Sequence, residues 1–145
     1  MKITKASIEY LDGIAEIFDN YRVFYNVQSD ISNSANFIYE RIKKEDSIIF
    51  IAFSEENSIV GFTQLYPSFS SVSMKRVWVL NDLFVLAEPR KSGIGSALVK
   101  TAIEFAKKDG AIRVSLSTAK DNPAKKLYEQ LGFVESSFKF YNYSI

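Results

Sequence analysis

The chain contains no cysteine and no histidine. Without thiols there are no disulfides, no thiol nucleophiles and no iron–sulfur clusters. Without imidazole, almost every zinc site and every Ser–His or Cys–His catalytic pair is excluded as well. Charge of one sign is also lacking: 18 Lys and Arg stand against 17 Asp and Glu, a formal charge of +1. That balance carries no electrostatic footprint for nucleic acid, and no nucleic-acid partner is expected. Long hydrophobic runs are missing too. The longest, Ile48 to Phe53, falls far short of the about 20 residues that a spanning helix needs, so no membrane partner is expected. The opening residues Met1-Lys2-Ile3-Thr4-Lys5-Ala6 lead into no apolar signal segment, so a cytoplasmic protein is expected. With three prolines, six glycines and no biased stretch, neither a linker nor a repeat is visible, and residues 1–145 are read as one domain.

What is present is a core. Of 145 residues, 47% are hydrophobic, with 12 Phe and 8 Tyr, enough for one well-buried domain. Chemistry at neutral pH is left to carboxylates, Tyr, Lys, Ser and the backbone.

Ile3 to Ala6 reads as a short edge strand. Tyr10 to Tyr25 places Leu11, Ile14, Ala15, Phe18, Tyr21 and Tyr25 at helical spacing, with Asp12, Glu16 and Asp19 off that face. A polar stretch comes next, then a second helix over Ala35 to Lys44. Ile48–Phe53 and Ile59–Tyr66, separated by turn residues, read as an antiparallel hairpin. Pro67 to Ser73 reads as a serine-rich loop, and Arg76 to Val85 as a long strand. Gly93 and Gly95 open a helix that runs to about Asp109, where Gly110 caps it. Arg113 to Ser117 is the next strand, so strand, helix and strand form a right-handed parallel unit. Pro123 stands at a first helical position with Asp121 or Asn122 as cap, and that fourth helix stops near Leu131-Gly132. Phe133 to Phe138 and Lys139 to Tyr143 read as two more strands. The expected fold is α/β (α+β): four helices and a mixed central sheet of about six to seven strands, antiparallel in its N-terminal half and parallel in its C-terminal half.

The segment Asn81-Asp82-Leu83-Phe84-Val85-x4-Arg90-x2-Gly93-x-Gly95 carries the first chemical signal. A strand enters a glycine-bearing turn and then a helix, which exposes successive amides at the helix N-terminus. Such amides and the helix dipole bind pyrophosphate, and glycine lets phosphate approach the backbone closely. Two common nucleotide folds fail on spacing. Gly95-Ser96-Ala97 lacks the lysine of a P-loop, and Leu98 stands where a dinucleotide fold needs its third glycine. One strand later comes Asn122-Pro123-Ala124-x2-Leu127-Tyr128-x2-Leu131-Gly132-Phe133.

Arg-x-x-Gly-x-Gly, then a strand, then Leu-Tyr-x-x-Leu-Gly-Phe resembles the GNAT superfamily of N-acetyltransferases. The resemblance spans the whole chain in element order and is most specific from about Leu80 to Phe133. The Asn81–Val85 strand end and Tyr21-Arg22-x-Phe24-Tyr25 are similar to small members that acetylate polyamines and basic proteins. The resemblance implies acetyl-CoA as acetyl donor, with no metal. Its pantetheine arm would pair with the backbone of Leu83, Phe84 and Val85 as an added strand. Its pyrophosphate would lie on the loop opened by Arg90 and on the amides of Lys91, Ser92, Gly93, Ile94, Gly95 and Ser96. A backbone N–H near Val85 would stabilise the oxyanion. Tyr128 would protonate the departing thiolate. The family commonly has Asn seven residues before this Tyr and Ala four before it. Ala124 keeps its place, but Asp121 stands seven before, so either Asp121 or the adjacent Asn122 takes the cofactor contact.

An amine acceptor is protonated near neutral pH and must lose a proton before it attacks. With no histidine, the base is a carboxylate or a water chain. Asp82 is the candidate carboxylate, and Asn81 the candidate for holding water. Tyr21, Tyr25, Asp30, Tyr66 and Trp78 are candidate walls of the acceptor pocket. The implied activity is direct transfer to a primary amine in a ternary complex: a small amine or polyamine, or a Lys or N-terminal amine. A homodimer is the family expectation. The alternatives are a non-catalytic acetyl-CoA sensor and an interaction domain on the same scaffold.

Overall fold

The computed structural model describes residues 1–88 and 93–145. Apolar periodicity sets its elements in the order β1 (Lys2–Lys5), α1 (Leu11–Phe24), α2 (Ile31–Lys44), β2 (Ile48–Phe53), β3 (Ile59–Ser70), β4 (Lys75–Val85), α3 (Ile94–Lys108), β5 (Arg113–Ser115) and α4 (Ala124–Gln130). A single 3-10 turn, Ile8–Tyr10, leads into α1. The strands form one sheet in the order β1-β2-β3-β4-β5. The first four are antiparallel neighbours, and β5 runs parallel to β4.

Strand alternation divides the core into two layers. Ile49, Ile51, Phe62 and Phe84 point to one face and pack with Ile14, Ile17, Phe18 and Ile38 of α1 and α2. Phe50, Leu65, Trp78 and Leu80 point to the other and pack with Leu98, Val99 and Ala102 of α3 and Tyr128 of α4. On β4 the alternation breaks once. Gln64 pairs with Asp82, but Leu65 pairs with Leu80, so Asn81 is an extra residue, a β-bulge. Leu80 faces the α3 layer, whereas Phe84 faces α1 and α2. Two even-numbered positions of one strand thus lie on opposite sides of the sheet.

Several boundaries differ from the sequence reading. α2 begins at Ile31 because Asp30 caps it, its carboxylate accepting from the amide of Asn33 at 3.2 Å. Asp19 is buried (6% exposed) instead of lying off the apolar face. It accepts hydrogen bonds from the Ser29 hydroxyl, the Asp30 amide and the Ser34 hydroxyl, and pairs with Arg22 at 3.3 Å. This one carboxylate ties the α1–α2 connection together, and these donors hold it below the ordinary carboxylate range. β3 continues through Pro67 to Ser70. Past Leu65 it has no β2 neighbour, and an edge position tolerates proline. β5 stops at Ser115, where its register with β4 ends.

Among the described residues the sheet has five strands, not six or seven. The expected strands Phe133–Phe138 and Lys139–Tyr143 do not form. Beyond Phe133 the chain is extended without a ladder partner, and Phe138, Phe140, Tyr141 and Tyr143 are 86 to 92% exposed. Aromatics occupy both sides of this segment, and a strand of that kind forms only where both sides are covered; no described part of the same chain covers them.

Candidate active site

β4 is paired unequally along its two edges. Towards β3 its register runs from Lys75 to Val85. Towards β5 it covers only Val77–Val79, opposite Arg113–Ser115. Beyond Val79, among the described residues, no register joins the two strands, and the sheet opens into a gap. The bulge at Asn81 lies at the apex of that opening.

The bulge turns Asp82 onto the α1 side. Asp82 is 4% exposed. One carboxylate oxygen accepts from Gln64 Nε2 at 2.7 Å, and the other from Asn81 Nδ2 at 3.0 Å. Gln64, itself fully buried, accepts from the Ser47 hydroxyl at 2.9 Å. Burial first, and then the charge of Asp82, push the Tyr21 phenol far above its usual range. Tyr66 is pushed up to about 12 by burial and by the same carboxylate. The Asp82 carboxylate thus raises both phenols, while its own two oxygens are held by Gln64 and Asn81.

Tyr128 is 8% exposed. It sits on the short helix α4, with its ring 5.8 Å from that of Phe133. Burial pushes it up to about 12, with a further contribution from Tyr25. It is held as a proton donor throughout the neutral range. Tyr25, half-exposed at the end of α1, contacts Tyr21 at 5.1 Å and Phe24 at 5.3 Å between ring centroids. Tyr21 in turn lies 5.9 Å from Phe84. Tyr25, Tyr21, Phe24 and Phe84 thus form one run of ring contacts.

At the entrance of α3, Gly93 takes the left-handed conformation (φ 86°), which favours glycine. The first bond of the helix is donated by the Ala97 amide to Gly93. The amides of Ile94, Gly95 and Ser96 therefore have no acceptor within the helix. A Cβ on Gly95 would meet only Leu127 at 3.5 Å and Val85 at 3.9 Å, which is ordinary contact, so packing does not demand glycine there. Amides without an acceptor inside the helix and a glycine not required by packing suit a phosphate-bearing ligand.

The structure therefore brings Asp82, Asn81, Tyr21, Tyr25 and Tyr66 together, and sets Tyr128 and the α3 entrance beside them. Arg90, Lys91 and Ser92 lie outside the described residues. The Asn122 side chain accepts from the Ala124 amide at 2.9 Å. α4 begins at Ala124 with Pro123 as its N-cap, one position later than expected, so neither Asp121 nor Asn122 is the cap residue. Two expected pocket walls are not walls. Trp78 lies on the α3 face, donating to Asp109 at 2.9 Å, and Asp30 caps α2. Sequence reasoning does not find Gln64 or Asp19. A glutamine within the apolar run Val60-Gly61-Phe62-Thr63-Gln64-Leu65 was the available signal for the first. Among the described residues no group of three or more carboxylates could hold a metal, and no helix is long and apolar enough to cross a membrane.

The family of the chain follows from comparison with known proteins. Residues 14–133 match the acetyltransferase (GNAT) family, and the chain belongs to it. It is 42% identical over 138 residues, covering 94% of this chain and 92% of the relative, to the Bacillus subtilis protein called uncharacterized N-acetyltransferase YhfO. It is 31% identical to a probable acetyltransferase of Haemophilus influenzae, over 72% of each chain. A crystal structure of a probable acetyltransferase superposes with a TM-score of 0.95 at 41% identity, covering 100% of this chain and 98% of that one. The protein is an acetyltransferase enzyme.

Proposed function

We propose that the protein transfers an acetyl group from acetyl-CoA directly to a primary amine bound in the same complex. The observation that carries this is the placement of Asp82 and Tyr128, a buried proton acceptor and a buried proton donor, beside one opening in the sheet. Acetyl-CoA supplies the thioester. The amides of Gly93, Ile94, Gly95 and Ser96 would hold its pyrophosphate, joined by Arg90, Lys91 and Ser92. The backbone of Leu83, Phe84 and Val85 would hold its arm, with Val85 N–H directed to the carbonyl oxygen. Asn122 would contribute a further contact from the start of α4.

On the acceptor side, Asp82 takes the first proton from the ammonium, directly or through a water held by Asn81. Tyr21 and Tyr25 line the path of the amine, where aromatic faces favour a cation. The neutral nitrogen attacks the carbonyl carbon and the carbon–sulfur bond breaks. Tyr128 protonates the departing sulfur and recovers its proton from the nitrogen. One proton per turnover leaves through Asp82. No covalent acyl-enzyme is involved, since the chain has no cysteine to form a thioester with the acetyl group. This reading is supported by the family and by relatives named N-acetyltransferases.

The test is thiol release from acetyl-CoA across a panel of polyamines, amino sugars, amino acids and peptide amines. A protein without cysteine contributes no background to a thiol reagent. Release that depends on one amine class, and is lost in Tyr128→Phe, is the expected result. A rise in melting temperature with acetyl-CoA but no release with any amine would assign the site to a sensor instead.

A further inference from the structure

A glutamine lies fully buried on β3, inside the apolar run Val60-Gly61-Phe62-Thr63-Gln64-Leu65. Leucine would fill that place without a polar group, whereas a buried amide is costly unless its ends are bonded. Both ends of Gln64 are bonded. Its Nε2 donates to one oxygen of Asp82 at 2.7 Å, and its Oε1 accepts from the Ser47 hydroxyl at 2.9 Å. Ser47 immediately precedes β2, Gln64 lies on β3, and Asp82 is its register partner on β4. The series of bonds thus crosses three neighbouring strands and ends on the carboxylate proposed as base.

Elementary chemistry fixes its direction. An ionised carboxylate only accepts hydrogen bonds, so it takes the amino end of the amide. The carbonyl end must then face Ser47, whose hydroxyl can donate. The Asp82 backbone is held from the same strand, since the Thr63 hydroxyl donates to its carbonyl at 2.8 Å. Asn81 donates to the second carboxylate oxygen at 3.0 Å, but it is an exposed residue at the bulge. The buried anchor of the carboxylate is Gln64. Two bonds use half of the about four acceptor positions of a carboxylate. The others remain for the ammonium or its water.

We infer that Gln64 is a positioning residue for Asp82, aiming its carboxylate at the amine, and that Ser47 holds Gln64 in that orientation. This rests on the reading of Asp82 as the base. A purely structural glutamine changes stability alone. One that aims the base also changes the rate, because a displacement of about 1 Å is enough to cost a large factor in turnover.

The experiment measures thiol release from acetyl-CoA with spermidine, glucosamine, lysine and a peptide amine as acceptors. The variants are Gln64→Met, which keeps the side-chain length but has no donor, Ser47→Ala, Ser47→Thr, Asp82→Asn, and Gln64→Met combined with Asp82→Asn. Gln64→Met should lower kcat for the accepted amine about 10–100-fold and leave the KM for acetyl-CoA nearly unchanged. Ser47→Ala should lower kcat about 3–10-fold, and Ser47→Thr, which restores the hydroxyl, should recover most of that loss. In the Asp82→Asn background, measured at alkaline pH, Gln64→Met should cost less than about twofold more, because no base is left to aim.

A Gln64→Met rate within about threefold of the natural chain overturns the inference while Asp82 stays the base. So does a Gln64→Met loss that is undiminished in the Asp82→Asn background. Equal rates in Ser47→Ala and Ser47→Thr overturn it as well, and that pair decides alone if circular dichroism shows Gln64→Met unfolded. A natural-like rate in Asp82→Asn, or no release with any amine, is a separate failure, that of the proposed function, and the inference falls with it.

Discussion

The two edges of β4 differ more than any two surfaces of this protein. Towards β3 the strand is paired along its whole length and the polar groups nearby are consumed: Thr63 donates to the Asp82 carbonyl at 2.8 Å, and Gln64 donates to its carboxylate. Towards β5 the pairing lasts only from Val77 to Val79, and the backbone beyond faces a gap. One strand thus performs two tasks that a regular sheet keeps apart. Its β3 edge supplies stability, and its β5 edge is the one where the proposed function places the extended arm of the acetyl donor. Apart from Ser47 and Gln64, the contrast predicts that substitutions on the β3 side change stability, and that those at the opening change turnover or ligand affinity.

The largest effect is expected at Asp82. Asp82→Asn should lower kcat/KM for the amine by about 10²–10⁴ at neutral pH, with residual activity climbing as pH rises and more of the amine is unprotonated. A rate within a few-fold of the natural enzyme would make Asp82 a structural carboxylate and move the base elsewhere. Tyr128→Phe should lower kcat by about 10² and leave the KM for acetyl-CoA nearly unchanged. Because Tyr128 is pushed up to about 12, the natural enzyme should show no alkaline loss attributable to it up to about pH 10. An alkaline limb near pH 8 that disappears in Tyr128→Phe would contradict that.

Asp19 tests the opposite half of the contrast. Asp19→Asn should cost about 1–3 kcal/mol of stability at neutral pH, with kcat affected far less than by either opening variant. The sign of its pH dependence is set by its lowered value. The unfolded chain binds the proton more readily, so the carboxylate stabilises the fold fully above about pH 4, the ordinary value for Asp. That contribution fades as pH falls through the lowered native value. Denaturant titrations of both proteins should therefore converge in acid. The smallest effect belongs to Gly95→Ala. The melting temperature should hold or rise slightly, since alanine gains about 1 kcal/mol of helix propensity, while affinity for acetyl-CoA should fall about tenfold. Unchanged affinity would place the pyrophosphate away from Gly95.

Much of this arrangement was legible in the residues, because its parts are local. Gly93, Gly95 and the Leu127–Phe133 segment mark turn, helix start and helix stop through short-range conformational demands, and they lie where the spacing put them. Asp82 was a candidate because the chain has no histidine, and Tyr128 because its motif resembles that of the family. The rest depended on contacts between distant segments. Asp19 reads as a solvent-facing helical carboxylate until Ser29, Asp30 and Ser34 fold back onto it. Gln64 gains its meaning only when β3 lies beside Asp82. The bulge left a trace in the apolar positions, Trp78 and Leu80 and then Leu83 and Val85, whose spacing shifts from even to odd. The tail was read as strand from its alternation, but pairing is a property of two segments and alternation describes only one.

That shift from even to odd makes the site a matter of counting. Along a strand, a side chain's face is decided by parity, and one residue more or less exchanges the faces of everything downstream. Asn81 is the residue that sets the count. Its removal would leave every other side chain in the protein in place on paper, yet it would carry Asp82 and Phe84 through the sheet to the α3 side and bring Leu83 and Val85 to face Tyr21. An enzyme built this way depends on the number of residues before Asp82 as well as on the side chain at position 81. Among descendants of such a chain, single-residue insertions and deletions near the apex of the gap should be rarer than substitutions.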